Sequence, residues 1–451
     1  MNETRELARH VSEVEFQRLP KAVVTKAKQL VLDQLGCEIG CSTRPWSKIV
    51  YDYAAGRVPV KPESTILNYG LRTTAEDAAQ VNATFGHGFE IDDTDLVSKI
   101  HPGCVVTPVA LALGEKEGIS GRDFIAAIVV GYDVASRVGA SAKLAIQRGF
   151  HPTPVFGPFG AAAAAGRILK LNADGVLNAF GIVASHSSGL MEYTETGGEV
   201  KRIHAGIAAH AGIKAARLAQ RGLTGPSTAL EGEKGLCRAF SDTTDLGQIT
   251  DSLGKEYRIM WTGLKPYCCC AGQHAALDAA ELIARKHGVQ PEQIEEIVVG
   301  SGPMELRAVG VIVEPRDIAG MQFSGRFGIT LRLLKGGNGV SEYTEANLWD
   351  PAVRSFAKKI SWAYDQDVEK TTEAGARVTM KLKDGRTLSE KVAWARGTIH
   401  NQMTDEEVKQ KFARMTSGVL PGKRVEAIVD TVEHLDSLDN IRKLITLLVR
   451  E

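Results

Sequence analysis

The run Gly160-Ala161-Ala162-Ala163-Ala164-Ala165-Gly166 narrows what this chain can fold into more than any other stretch. Alanine is the best helix former. Side chains this small also let helices pack with their backbones close together. The run therefore predicts a compact multihelical body, not an open bundle. Its surroundings agree. Over 20–39, Val23, Val24, Ala27, Leu30, Val31, Leu35 and Ile39 repeat close to the 3.6-residue helical period. Helices are also expected over 74–84, 108–117, 121–144, 160–169, 173–186 and 204–218, with Thr74 and Asn172 as N-caps. Residues 1–264 thus read as an all-helical domain.

The character changes near residue 265. The segment 294–300 (IEEIVVG) is rich in β-formers. Segments 377–382 and 386–394 flank Asp384-Gly385, a strong two-residue hairpin signal. Helical patterns over 272–286 and 322–334 lie between these strands, and 336–362 carries weak signals. Residues 265–398 read as a smaller α+β domain. Helices over 403–415 and 437–449 are expected to pack back on the first domain, so 399–451 belongs with it. The fold class is mainly α with a smaller α+β domain.

Composition excludes several classes. Lys plus Arg and Asp plus Glu number 54 each. That balance argues against a nucleic-acid binder, which is usually basic. No apolar run reaches the roughly 20 residues that span a bilayer, so no membrane partner is expected. The first 15 residues lack the apolar core of a secretory signal. The seven cysteines include the run Cys268-Cys269-Cys270, which fits neither disulfide nor zinc spacing. A reducing cytoplasm is the expected compartment.

The chemistry concentrates in 86–103, where GHGFEIDDTD is followed by HPG. Glu90, Asp92, Asp93 and Thr94 crowd carboxylates together, which raises the pKa of one of them. The plainer reading is a cap on the next helix. His101 and His151 each precede a proline, which holds them extended at a loop corner. Imidazole is the usual proton carrier near neutral pH. Lys201 and Arg202 follow Gly197-Gly198 at the start of an alanine-rich helix, a natural place for an anion. Lys265 sits at the apparent domain boundary, and Arg326 is a weaker third cation. His87, Asp92, Asp93 and His101 are ligand types for a divalent ion. No H-x-x-x-H or paired C-x-x-C spacing accompanies them, so no metal is expected. No G-x-G-x-x-G follows a strand, so no dinucleotide cofactor is expected either.

Several segments in order resemble the MmgE/PrpD family: GHGFEIDDTD with HPG, GYDVASRVG, HPTPVFGPFGAAAAAGRILKL, VKRIHAG, GLTGPSTALEGEKGL and LKPY. That family includes 2-methylcitrate dehydratase, cis-aconitate decarboxylase and iminodisuccinate epimerase. The resemblance implies a homodimer and a cofactor-free site between a helical and an α+β domain. It places the acidic motif on Glu90, Asp92, Asp93 and Thr94, the histidines on His101 and His151, and the lysines on Lys201 and Lys265. On these residues, catalytic roles are expected for His101, His151, Lys201, Asp92 and Asp93, with Glu90, Thr94, Lys265 and, outside the resemblance, Arg326 binding substrate. Glu90 stands where the family often has Asp, and Arg326-Phe327 where it often has Pro-Tyr. The expected function is a lyase acting on a small di- or tricarboxylate by removing a proton α to a carboxylate. An epimerase, a non-catalytic organic-acid binder and a metal-dependent hydrolase on His87, Asp92 and Asp93 are the alternatives.

Overall fold

The computed structural model describes residues 2–372 and 374–450. The chain is mainly α-helical and divides into two units. The first is Met1–Gly88, Asp92–Gly263 and Thr404–Glu451; the second is Phe89–Ile91 and Leu264–Met403.

The principal helices of the first unit are α1 (Lys21–Cys41), α2 (Ala75–His87), α3 (Gly103–Glu117), α4 (Gly121–Ser141), α5 (Pro152–Ile168), α6 (Ala173–Ala184) and α7 (Val200–Gln220). Helix α5 packs along α4 on one side and α7 on another. The alanine run makes this possible. A Cβ on Gly160 would stand 2.6 Å from the Gly131 carbonyl oxygen of α4. A Cβ on Gly212 of α7 would stand 2.2 Å from that of Ala161. Thr74 and Asn172 do cap their helices, accepting from the N–H groups of Asp77 and Gly175 at 3.1 and 2.9 Å.

Two helices start earlier than their sequence suggests. Helix α3 begins at Gly103, not 108, and α5 at Pro152, not 160. Pro152 is at home in the first turn, where its missing N–H is no loss. Pro108 and Pro158 lie inside their helices. The Pro154 carbonyl, which residue 158 cannot serve, accepts from the Ser188 N–H at 3.3 Å instead. A second correction concerns α4. It is long enough, and an 18-residue window of it apolar enough on average, to cross a bilayer by length and composition, contrary to the expectation that no segment is. Here its apolar window is wholly buried in protein. It also carries a buried ion pair, Arg137 Nε to Asp133 Oδ2 at 2.9 Å.

Within the first unit the helix Asp405–Thr416 lies against α1. Gly36 and Gly40 open the space: a Cβ on Gly40 would meet the Met415 carbonyl oxygen at 2.4 Å. Lys411 Nζ reaches Asp33 Oδ1 at 2.5 Å, both buried. The helix expected over 437–449 is confined to Arg442–Leu447, because Asn440 turns back and accepts from the Arg442 N–H at 2.9 Å. A helix at Gly422–Glu433 was not anticipated.

The second unit holds a four-stranded sheet of β1 (Ile294–Ser301), β2 (Ile360–Tyr364), β3 (Ala376–Leu382) and β4 (Thr387–Val392), in the order β2-β1-β3-β4. Only β1 and β2 are parallel. The Asp384-Gly385 turn joins β3 to β4, with Gly385 at φ +88 and Asp384 Oδ1 accepting from the Arg386 N–H. Helix His274–His287 packs on β3 and β4 and against Gly325–Lys335.

Candidate active site

Four imidazoles from distant parts of the chain meet in the first unit. His87 is the last residue of α2, and His151 takes the N-cap position of α5. His204 lies one turn into α7, and His101 precedes α3. The ring centroids of His87 and His151 are 5.6 Å apart and nearly parallel. Those of His87 and His101 are 5.2 Å apart, and those of His151 and His204 also 5.2 Å. The His-Pro corners therefore converge, although 50 positions separate them in the sequence.

Each ring is held by a specific partner. His87 Nδ1–H donates to Asp92 Oδ2 at 2.7 Å, since a carboxylate only accepts. The lone pair is left on Nε2, which is buried without a hydrogen-bond partner among the described residues. His101 Nδ1–H donates to the Asp93 carbonyl at 2.6 Å and stands 3.5 Å from Asp92 Oδ2. Its neutral form likewise carries its lone pair on Nε2. The His101 backbone N–H donates to Thr153 Oγ1 at 3.1 Å, which ties it to the start of α5. His151 Nδ1 and His204 Nδ1 are 3.0 Å apart.

The two adjacent acids do different things. Asp92 serves the imidazoles. The Asp93 carboxylate turns away from them. It accepts from the Gly103 N–H at 3.1 Å and from the Tyr132 hydroxyl at 2.7 Å. Asp93 is thus a helix cap reaching across ten positions, as the plainer sequence reading allowed. Burial pushes its carboxyl up to about 7, with Tyr132 opposing and the Asp92 and Asp33 carboxylates adding. Thr94 is half-buried in a short antiparallel pairing opposite Gly263.

Burial also keeps the imidazoles neutral. It pulls His87 down to about 3, against the Asp92 carboxylate and with help from Lys201. It pulls His204 to about 4, again with Lys201 adding. His151 falls well below the usual range, with the other three rings adding. Lys201 is buried in the first turn of α7, three residues before His204 and on the same face. Arg202 beside it is committed elsewhere. It stacks 3.6 Å from the Trp46 ring centroid and donates to the Gly88 carbonyl, pinning the end of α2.

Glu90, Lys265 and Arg326 belong to the second unit. Lys265 Nζ is buried, 3.5 Å from Glu90 Oε2 and 3.3 Å from the Glu90 carbonyl oxygen. Glu90 has φ +57, an unusual backbone for a residue with a side chain. Arg326 donates to the Ile360 carbonyl of β2, so that donor is used by the sheet. Cys268 and Cys269 are buried and Cys270 half-buried.

Several participants carried no recognisable signal. Cys104 packs beneath the cluster, its thiol donating to the His101 carbonyl at 3.1 Å. Its sulfur, a His87 nitrogen and an Asp92 oxygen lie within 4.8 Å of one another. Burial raises the thiol well above its ordinary range, which works against the thiolate a metal would need. Tyr132, inside an apolar helix, and Tyr193, in a polar stretch, are not singled out by the sequence. His204 did carry a signal, its spacing of three from Lys201.

Residues 5–249 match the model of the MmgE/PrpD N-terminal domain, and residues 267–437 that of the MmgE/PrpD C-terminal domain. The chain belongs to the MmgE/PrpD family. Among its relatives is a cis-aconitate decarboxylase-like protein of Aspergillus oryzae, 28% identical over 480 residues that cover 100% of this chain and 98% of the relative. The cis-aconitate decarboxylase of Aspergillus terreus is 26% identical over 475 residues, 99% of this chain and 95% of the relative. That of Homo sapiens is 27% identical over 469 residues, covering 99% and 94%. The matches thus reach into both units and include the imidazole cluster and Glu90, while Lys265 lies between the two matched ranges.

Proposed function

We propose that this chain is a lyase acting on a small di- or tricarboxylate, with cis-aconitate the first candidate substrate. The reading rests on family membership, on relatives named as cis-aconitate decarboxylases, and on one geometric observation. That observation is a buried cluster of four imidazoles, with the buried Lys201 one helical turn before His204 on α7.

The chemistry follows from the groups present. A carboxylate on the substrate is attracted to Lys201 and to the positive end of the α7 dipole. In a decarboxylation, the carbon–carbon bond to one carboxylate breaks and carbon dioxide leaves. The electron pair stays on carbon and spreads into a neighbouring carboxylate as an enediolate. Lys201 stabilises that charge, and a protonated imidazole returns one proton to carbon. In a dehydration, a neutral imidazole removes the proton α to a carboxylate, and hydroxide leaves with a second group's proton. His101 is suited to carry the proton, because Asp92 at 3.5 Å compensates its charge when protonated. His151 is the base in this reading: burial keeps it neutral, so one ring nitrogen carries a lone pair for the proton, although the same burial lowers its proton affinity.

The test is incubation with cis-aconitate, citrate, 2-methylcitrate and iminodisuccinate in deuterated water, followed by NMR. Carbon dioxide release with one deuteron in an itaconate-type product supports the decarboxylase reading. New vinylic protons support a dehydratase. Deuterium exchange without net conversion points to an epimerase and overturns the lyase. No reaction with any of the four removes the substrate class.

A further inference from the structure

We propose that His204 is the positioning residue that makes His151 a base, its Nδ1 accepting the Nδ1–H of His151 so that the His151 lone pair is held on Nε2. The role deepens the lyase reading and rests on it for its kinetic consequence.

The geometry leaves two arrangements. The two Nδ1 atoms are 3.0 Å apart and both rings are buried. Two neutral rings share one hydrogen there, so one nitrogen donates and the other accepts. The surroundings break the tie. Lys201 is three residues before His204 on α7, and its positive charge bears on the His204 ring. His204 is therefore kept neutral. When His151 takes a proton as the base of the lyase reading, both its nitrogens carry hydrogen, so its Nδ1 donates across the 3.0 Å contact and His204 Nδ1 accepts. The donor is then His151 Nδ1, and its Nε2 is the basic atom.

Other groups fix the rings without competing for that hydrogen. The His151 backbone N–H donates to the Gly189 carbonyl at 3.0 Å. The His87 ring stacks on His151, while His87 Nδ1–H is given to Asp92. His101 faces His151 at 6.4 Å between centroids, with its own Nδ1–H given to the Asp93 carbonyl. Tyr193 packs edge-on to both members of the pair, at 6.1 and 6.0 Å. When Nε2 takes a proton, the Nδ1–H···Nδ1 bond becomes charge-assisted and strengthens. An orienting partner of this kind also fixes tautomer and ring angle, and removing one typically costs tenfold to a hundredfold in other imidazole sites.

The experiment compares wild type with His204→Phe, which fills the space without an acceptor, and His204→Asn, whose amide oxygen can reach the Nδ1 position. All are assayed on the substrate that wild type converts. For His204→Phe, kcat is expected to fall roughly tenfold to a hundredfold with KM nearly unchanged. The acid limb of the kcat profile moves to lower pH, because protonated His151 has lost its acceptor. His204→Asn recovers part of the rate and restores the limb. A His204→Phe enzyme with wild-type kcat and pH profile overturns the proposal. Nitrogen-15 NMR of the labelled histidine rings gives a second readout that needs no turnover. The His151 ring is expected to hold its hydrogen on Nδ1 in wild type and to lose that preference in His204→Phe. If wild type converts no carboxylate, the lyase reading fails and this spectrum alone decides the inference. A His151 tautomer identical in both proteins overturns it.

Discussion

Asp93 shows how one buried residue ties the motif to stability. Its carboxyl ordinarily titrates near 3.8, and burial raises it to about 7 in the fold. A carboxyl raised on folding stabilises most when both states hold the proton, below about pH 4. That contribution is lost as pH climbs through 7, when the folded protein has to bury a charge. Asparagine has the same shape and no proton to lose. Its amide keeps an acceptor for the Gly103 N–H, and the Tyr132 hydroxyl can turn to accept from its NH2 group. Asp93→Asn is therefore expected to gain stability relative to wild type between pH 5 and 8, on the order of 2–4 kcal/mol across the window. Urea unfolding midpoints at fixed pH measure it; parallel curves for the two proteins would refute it. At this scale the sequence shows that acids and imidazoles are crowded. It does not show that Asp92 faces the rings while Asp93 caps a helix, because that depends on the turn between Gly88 and Asp92.

The alanine run acts through its neighbours. Helices α5 and α7 approach so closely that Gly212 has no room for a methyl group: its Cβ would lie 2.7 Å from the Ala161 carbonyl carbon and the Ala162 backbone nitrogen. Backbone cannot swing aside as a side chain can, so Gly212→Ala is expected to cost roughly 1–3 kcal/mol. Gly422 is the matched control. It begins a helix, has an ordinary φ and has nothing within 4 Å of a built Cβ. Gly422→Ala is expected to leave stability unchanged or raise it by about 0.5 kcal/mol. Thermal denaturation of both variants decides whether close helix approach is the constraint. Equal losses at the two positions would contradict it. The helical elements were legible because periodicity and caps are local. The starts of α3 and α5 were not, because prolines that usually end helices lie inside these two. Strand β2 was missed because five residues at one edge of a sheet show little periodicity of their own.

Across the molecule, the pattern of helical and α+β segments was readable from composition and period alone. The site was readable only as a set of suspects. His87, Asp92, His101, His151, Lys201 and His204 are brought together by packing between helices far apart in sequence, and spacing along a chain carries no such distance. Their joint burial sets how the protein responds to acid. Rings at His87 and His151 are held neutral in the fold but titrate near 6.5 once it is lost. A histidine lowered on folding stabilises above 6.5 and loses that contribution as pH falls towards its folded value. Each costs about 1.4 kcal/mol per pH unit once the unfolded ring is protonated. Asp33, Glu38 and Asp93 are raised on folding and work the other way. Their gain is complete near pH 4, where unfolded carboxylates are protonated too. Between pH 7 and 4 the two sets oppose each other; below 4 the histidine slope continues without that offset. Acid unfolding is therefore expected to set in near pH 4, and His151→Phe, lacking one titrating ring, is expected to unfold at a lower pH. Far-UV circular dichroism across an acid titration measures both midpoints. A His151→Phe midpoint at or above that of wild type would show that the buried imidazoles do not drive the transition.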